Sequence, residues 1–169
     1  IDLLSAALPE QMLEAEANVT KLRGIELEVN ANAELKSREE LAEITRGFFR
    51  RPEIRQQVFE AQELYKVLGL MAEDDDLEAI LTKIQLQQVN ALFDDQTEKV
   101  YVVVDQSAIG AMGKLAYAAA YMGAVQQELF GIATIRRRTR KVGADSFRAA
   151  NALIMGNVAQ VSAAYIATA

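Results

Sequence analysis

The chain contains no histidine and no cysteine, and this absence restricts its chemistry more than any residue that is present. Histidine is the only side chain whose ordinary pKa, about 6.5, allows a change of charge near neutral pH, and it is the commonest metal ligand. Cysteine supplies thiolate nucleophiles and soft metal ligands. Transition-metal sites, histidine-dependent triads, disulfides and redox switches are therefore not expected. Sites for hard cations and acid-base chemistry by carboxylates, lysine or tyrosine stay open.

Proline and glycine are also scarce, with two and nine copies among 169 residues. Since both residues interrupt regular structure, their scarcity favours a chain rich in helix. A hydrophobic content of 51% and a charged content of 25% are those of a globular protein. The length fits one domain, so we predict a single domain over residues 1–169. Because the first residue is Ile1, we expect that a preceding segment has been removed.

Capping residues divide the first half of the chain into helices. Pro9 belongs to the residue type favoured at the first helical position and predicts a helix start there. Ser37 with Glu40 forms a capping box before a second helix, and Pro52 predicts the start of a third. Between the first two helices, the alternation at Asn30–Leu35 predicts a short edge strand.

The spacing of hydrophobic residues changes in the second half. Val89–Phe93 and Val100–Val104 are rich in apolar, β-branched and aromatic residues, and the polar segment between them predicts a hairpin. Met112–Phe130 and Ser146–Ala167 then return to helical spacing. We predict an α+β fold that is mainly helical, with four to six helices and a small antiparallel sheet, this hairpin, preceding a core helix.

The two C-terminal helices are unusual because charge is absent from Leu115 to Val125 and again from Ala149 to Ala169. The second stretch has the length of a membrane span, but polar residues such as Asn151 and many alanines argue against one. A buried helix pair explains both stretches better. We therefore expect an N-terminal helical part at residues 1–87, followed by the hairpin and the core helix pair at residues 88–169.

The strand Val100–Val104 and the following segment Lys114–Gln127 resemble zinc-metallopeptidase domains of the gluzincin type. In that family a strand precedes a helix that carries His-Glu-x-x-His, typically within the phrase Ala-His-Glu-Tyr-Thr-His-Ala-Leu-Gln. The segment Ala152–Asn157 resembles the downstream Leu-Val-Glu-Gly-Asp phrase, which supplies a third, glutamate ligand. The residues that match the helix phrase are Ala118, Tyr121, Ala124 and Gln126, with Val125 in place of leucine.

The resemblance places the functional positions of the family on residues that cannot perform its chemistry. In the family, two imidazoles one helical turn apart hold zinc, a glutamate activates the bound water and a further carboxylate completes the site. Here the metal positions fall on Ala119 and Gly123, the general base on Ala120 and the third ligand on Met155. The resemblance therefore implies the fold of a metallopeptidase without its zinc and without its activity.

A simpler interpretation stays open, in which the sequence encodes a close-packed helical domain that never had such a site. Both interpretations predict a packed, apolar contact between the two helices at Ala119, Gly123 and Met155. They differ in whether a cleft persists beside the edge strand of the hairpin, where a peptide would bind by strand addition.

A basic run lies between the two uncharged helices and is interpreted as a loop. It could bind phosphate, acidic lipid or nucleic acid, although a solvated loop partly neutralised by the acidic N-terminal half is the simpler interpretation. Interleaved aromatic residues for base stacking are absent, which argues against nucleic acid. The residues of the run are Arg136, Arg137, Arg138, Arg140 and Lys141.

Acidic residues offer no clear catalytic pair. The trio Asp74, Asp75 and Asp76 with Glu78 lacks the spacing and the central glycine of a calcium loop, so we interpret it as a helix cap. Asp94 begins a polar segment with ordinary turn chemistry. An enzyme that uses paired carboxylates stays open, because nothing in the sequence selects or excludes a pair.

We therefore expect a non-catalytic domain, without a cofactor, that binds a polypeptide partner or serves as a structural subunit. The alternatives are an adaptor that binds anionic surfaces through the basic loop, and an enzyme of a carboxylate-based type that the sequence does not identify. Nucleic acid is not an expected partner, and contact with a membrane surface stays open through a segment before Ile1 or through the basic loop. An extracytoplasmic or membrane-tethered location is favoured, and no oligomeric state is predicted.

Overall fold

The computed structural model describes residues 2–24, 29–104 and 111–168, and the chain in these ranges is mainly helical. The predicted α+β class is confirmed. The described ranges contain seven helices rather than four to six, because the basic run interpreted as a loop is itself a helix. In chain order the elements are α1 (Asp2–Arg23), β1 (Ala33–Lys36), α2 (Arg38–Phe49), α3 (Pro52–Val67), α4 (Leu77–Gln88), β2 (Ala91–Asp94), β3 (Lys99–Val103), α5 (Ala111–Phe130), α6 (Ile132–Val142) and α7 (Ala144–Thr168).

The three strands form a mixed sheet in the order β1-β3-β2. β2 and β3 are antiparallel, with Phe93 opposite Val100, so the predicted hairpin is confirmed. Its turn is closed by Asp94, whose carboxylate accepts hydrogen bonds from the amide of Gln96 at 3.1 Å and the hydroxyl of Thr97 at 3.0 Å. The edge strand expected before α2 is β1. Because β1 pairs with β3, the sheet has three strands and is not the purely antiparallel hairpin that the sequence predicted.

Local capping signals mark several helix starts correctly. Ser37 and Glu40 form the capping box of α2, and Pro52 occupies the first turn of α3. The side chain of Asp76 accepts a hydrogen bond from the amide of Ala79 at the start of α4. The prediction for Pro9 is wrong, since this residue lies inside α1. A long helix can continue through a proline, which removes one N–H donor without ending the helix.

The chain divides into two compact units, one formed by residues 1–35 and 90–169 and the other by residues 36–89. The sequence placed a boundary after residue 87, close to the end of the second unit. The first thirty-five residues, however, belong with the hairpin and the C-terminal helices. Whether the chain counts as one domain stays a prediction.

The core of the first unit is built around α5, in which every residue from Ala120 to Gln126 is buried. Helices α1 and α7 and strand β3 pack against it. Among the described helices, none combines the length and the apolarity needed to cross a membrane. The buried core residues that α1, β3 and α7 contribute are Ala15, Val19, Val100, Val102, Val161 and Tyr165.

The second unit consists of α2, α3 and α4. Helix α2 buries Leu41, Thr45 and Phe49, whereas none of the described side chains of α3 is buried. The guanidinium group of Arg38 donates to the carbonyl oxygens of Leu86 and Val89 at 2.7 and 3.3 Å. Carbonyl oxygens at the C-terminal end of a helix have no N–H donor within that helix. Arg38 supplies donors to two of them and so links the end of α4 to α2.

Candidate functional site

Ala119 and Gly123 lie one turn apart on α5 and therefore share a face of that helix. At Gly123 this face meets strand β2. A Cβ atom built on Gly123 would lie 2.9 Å from both the Cβ and the Cδ1 atoms of Phe93, closer than real Cβ atoms approach other heavy atoms. Phe93 therefore fills the space that any side chain at Gly123 would need. Ala120, the position that the resemblance assigns to the general base, is also buried.

Met155 does not fill the gap that the sequence predicted. Its side chain is 54% exposed, whereas the preceding residue, Ile154, is buried. The prediction that the thioether packs into a buried contact with Ala119 and Gly123 is therefore wrong. One residue along a helix is a rotation of about 100°, so Ile154 takes the inward position and Met155 faces solvent. The close cover of Gly123 comes from the sheet, through Phe93.

A buried glutamine joins α5 to α7. The Nε2 atom of Gln126 donates to the carbonyl oxygen of Ile154 at 3.1 Å and to the Oδ1 atom of Asn157 at 3.0 Å. Its Oε1 atom has no hydrogen-bond partner among the described residues. In the sequence, Gln126 is one of the residues that match the metallopeptidase phrase. In the structure it holds together the two helices that carry the candidate positions.

A polar cluster that the sequence did not reveal lies between α1 and α5. The hydroxyl of Tyr117, which is fully buried, donates to the carboxylate of Glu16, and the hydroxyl of Tyr121 donates to the carbonyl oxygen of Val29 at 3.3 Å. Burial raises the pKa of both tyrosines, and the hydrogen bond to Glu16 raises that of Tyr117 further. Both shifts favour the neutral phenols, which donate the two hydrogen bonds.

The basic run forms helix α6 and not the predicted loop. Arginine and lysine are good helix formers, and Gly131 and Gly143 mark the two ends of the helix. Arg136 donates to the Oδ2 atom of Asp95 at 2.8 Å and to the Oδ1 atom of Asn151 at 3.0 Å, which links α6 to the hairpin turn and to α7. The guanidinium of Arg140 lies 4.5 Å from the centre of the Phe147 ring.

Two of the five candidate anion-binding residues thus have partners that stabilise the fold. The remaining three, Arg137, Arg138 and Lys141, are exposed on α6. Arg137 also donates to the hydroxyl of Thr134 at 3.2 Å. An anion could reach this exposed side of α6, but the charge available to it is smaller than the sequence suggested.

We expect Arg136→Ala to lower the free energy of unfolding by about 1.5–3 kcal/mol, as is usual when a charged hydrogen-bonding partner is lost. The side chains of Arg136 and Asp95 are 23% and 18% exposed, so water cannot fully replace the lost contacts. Arg138→Ala removes the same charge from an exposed position and should change stability by less than about 0.5 kcal/mol. Urea unfolding followed by circular dichroism measures both variants. Equal losses would show that Arg136 does not join α6 to its neighbours.

The acidic trio acts locally. Asp76 caps α4, as predicted, and the Oδ2 atom of Asp75 accepts a hydrogen bond from the amide of Ala72 at 2.9 Å. Within the part of the chain that the structure describes, no three acidic side chains are grouped closely enough to hold a metal ion.

Comparison of the chain with protein-family models found no match, and searches of curated proteins and of solved structures found none either. The resemblance to gluzincins therefore depends on the residues of α5 and α7 and on the strand before them, and it stays a prediction.

Proposed function

We propose that this chain is a catalytically inactive, metallopeptidase-like domain that binds a protein partner or serves as a structural subunit. The observation that carries this proposal is the contact between Phe93 and Gly123. At the position where the resemblance places the second zinc ligand, the chain has a glycine covered by an aromatic ring, with Cβ-to-ring separations of 2.9 and 3.0 Å for any added side chain. One turn earlier, Ala119 offers only a methyl group.

The order of elements supports the metallopeptidase-like part of the proposal. Strand β3 precedes α5, and α7 packs on α5 through the bonds of Gln126 to Ile154 and Asn157. The segment that supplies a third ligand in gluzincins thus corresponds to a helix that contacts the helix of the first two. The residue that the resemblance assigns to this ligand, Met155, has a thioether, which is a poor ligand for zinc, and its side chain faces solvent.

The exposed surface of α7 supports the binding part of the proposal. Leu153 is 77% exposed, Ile166 is 62% exposed, and no charged residue follows Arg148. Exposed apolar side chains on an uncharged helical segment are typical of a surface that contacts another protein.

The test is to measure zinc content and peptide hydrolysis in the same purified preparation. We expect far less than one zinc per chain after incubation with zinc and dialysis, and no chelator-sensitive cleavage of a mixed fluorogenic peptide library. Stoichiometric zinc or chelator-sensitive turnover would contradict the proposal. Co-purification from the native source tests the binding part. A partner recovered with the unaltered chain should be lost with Leu153→Glu and retained with Arg138→Glu, and equal recovery with both variants would contradict a role for α7.

A further inference from the structure

The second unit contains an open groove at the start of α3, with a volume of about 410 Å³. Pro52, Arg55, Gln56 and Phe59 follow the spacing of one helix face and line it together. Arg50, at the C-terminal end of α2, completes the lining.

The arginines near this groove fall into two classes. Arg46 pairs with Glu43, and the guanidinium of Arg51 lies 4.4 Å from the centre of the Phe48 ring. In contrast, the guanidinium groups of Arg50 and Arg55 make no hydrogen bond or ion pair with any described residue. Of these four arginines, the two whose guanidinium groups have no partner among the described residues are therefore the two that line the groove. A guanidinium group presents a rigid set of donors that matches a carboxylate in a bidentate arrangement.

The groove also contains an apolar surface. The side chain of Phe59 is 59% exposed, although it follows Arg55 by one helical turn and lies within reach of the same ligand. Since α3 buries none of its described side chains, the fold does not account for an aromatic residue here. Arginine and aromatic side chains together are typical of the residues that dominate binding energy in protein interfaces.

The charge of the surroundings selects among anionic ligands. Acidic residues outnumber basic residues in the second unit, and the whole chain has a net charge of −6. An extended polyanion such as nucleic acid or an anionic membrane would meet this negative charge beyond the groove. A short acidic peptide would meet less of it, because at physiological salt charges are screened beyond about 8 Å. One carboxylate does lie beside the groove, that of Glu60, and it accepts a hydrogen bond from Gln56 at 2.7 Å.

We propose that this groove binds an acidic segment of a partner polypeptide, with Arg50 and Arg55 contacting two carboxylates and Phe59 contacting an apolar residue between them. This inference rests on the proposed protein-binding function and names the chemistry of the partner.

The experiment uses the full chain and a fluorescein-labelled peptide, Glu-Glu-Leu-Glu-Glu, with fluorescence anisotropy at physiological salt. We expect saturable binding that the double variant Arg50→Ala/Arg55→Ala weakens at least about tenfold, the usual result of losing charged hydrogen bonds. Phe59→Ala should also weaken binding, and a peptide with serine in place of leucine should bind less tightly.

The matched control, Arg137→Ala/Arg138→Ala, removes the same charge from α6 and should leave the affinity within about twofold. Arg50→Lys/Arg55→Lys keeps the charge and should still bind less tightly than the unaltered chain, because lysine lacks the bidentate fork.

Circular dichroism shows whether each variant is folded, and the lysine variant provides a second measurement if the alanine variant does not fold. Three results would overturn the inference. They are a peptide that shows no saturable binding, equal weakening of binding by the two alanine double variants, and binding of single-stranded DNA or inorganic phosphate that is as tight as that of the peptide. Zinc content and peptide hydrolysis are measured on the same sample. A peptide that fails to bind a zinc-free, inactive chain overturns the groove alone, whereas stoichiometric zinc or turnover overturns the proposed function.

Discussion

Replacing Gly123 by alanine is expected to lower the free energy of unfolding by about 1–3 kcal/mol, the usual effect of overfilling a packed core. Helix propensity alone would predict the opposite, since alanine is the best helix former. The new Cβ would lie 2.9 Å from the Cβ of Phe93, and that atom is attached directly to the backbone of β2. Rotation of the ring cannot relieve the contact, so either α5 or β2 must shift. Urea unfolding followed by circular dichroism measures the change.

Gly156 provides the matched control, because it also lies within a long helix but a Cβ there would meet no described atom within 4 Å apart from the adjoining backbone of its own helix. Gly156→Ala should raise the free energy of unfolding by up to about 1 kcal/mol through helix propensity. Phe93→Gly removes both the ring and the Cβ atom, so Gly123→Ala should become harmless in that background and the double-mutant cycle should show strong coupling. Equal effects of alanine at the two glycines would contradict the packing of Phe93 on α5.

Tyr117→Phe is expected to destabilise the protein by about 1–3 kcal/mol, because it preserves the ring and removes the donor to a partly buried carboxylate, that of Glu16. Tyr101→Phe is the control. Tyr101 is also buried, but its hydroxyl has only a long contact of 3.4 Å with the hydroxyl of Thr97. Removing the Tyr101 hydroxyl should therefore lower the free energy of unfolding by less. Urea unfolding near neutral pH measures both variants. Similar losses would show that the Glu16 contact contributes nothing specific.

The contact of Tyr117 with Glu16 should also make the stability of the protein depend on pH. Burial raises the pKa of Tyr117 in the folded chain, and an unfolded tyrosine has a pKa of about 10. The unfolded state therefore loses its proton first, so this contribution to stability is complete below pH 10 and declines as the pH rises above it. Stability should fall more steeply above pH 10 in the unaltered chain than in Tyr117→Phe. The pKa values of Tyr121, of Lys99 beside Glu34 and of Lys114 beside Glu14 are also raised, but these groups are common to both chains and their effects cancel in the difference.

The elements predicted correctly from the sequence are those set by neighbouring residues. The capping box of Ser37 and Glu40 and the alternation of the hairpin operate over a few residues, and both appear as expected. The sequence does not predict helix α6, because a run of like charges is typical of a solvated loop. In the structure its residues, which favour helix, are stabilised by the ion pair of Arg136 with Asp95 of the hairpin turn. The pairing of β1 with β3 joins distant segments, and no local pattern specifies it.

At the candidate site too, local features follow from the sequence and long-range contacts do not. That Ala119 and Gly123 share a face of α5 follows from helical periodicity alone. Phe93 covers this face because of the way the hairpin packs on α5. The sequence shows that Phe93 is a hydrophobic residue in a strand, but it does not show which residue Phe93 contacts. Whether Met155 or Ile154 faces inward depends on a rotation of one residue, which an uncharged, alanine-rich helix leaves undetermined in sequence. The bond between Tyr117 and Glu16 joins residues separated by 101 positions, and only the tertiary structure brings them together.

The contact of Phe93 with Gly123 restricts the order in which substitutions at these two positions can be accepted. Any side chain introduced first at position 123 would clash with the Cβ atom and the ring of Phe93. Selection would therefore meet a fitness valley on that route, unless position 93 became glycine beforehand. In evolutionary terms the order of the two substitutions matters as much as their identity.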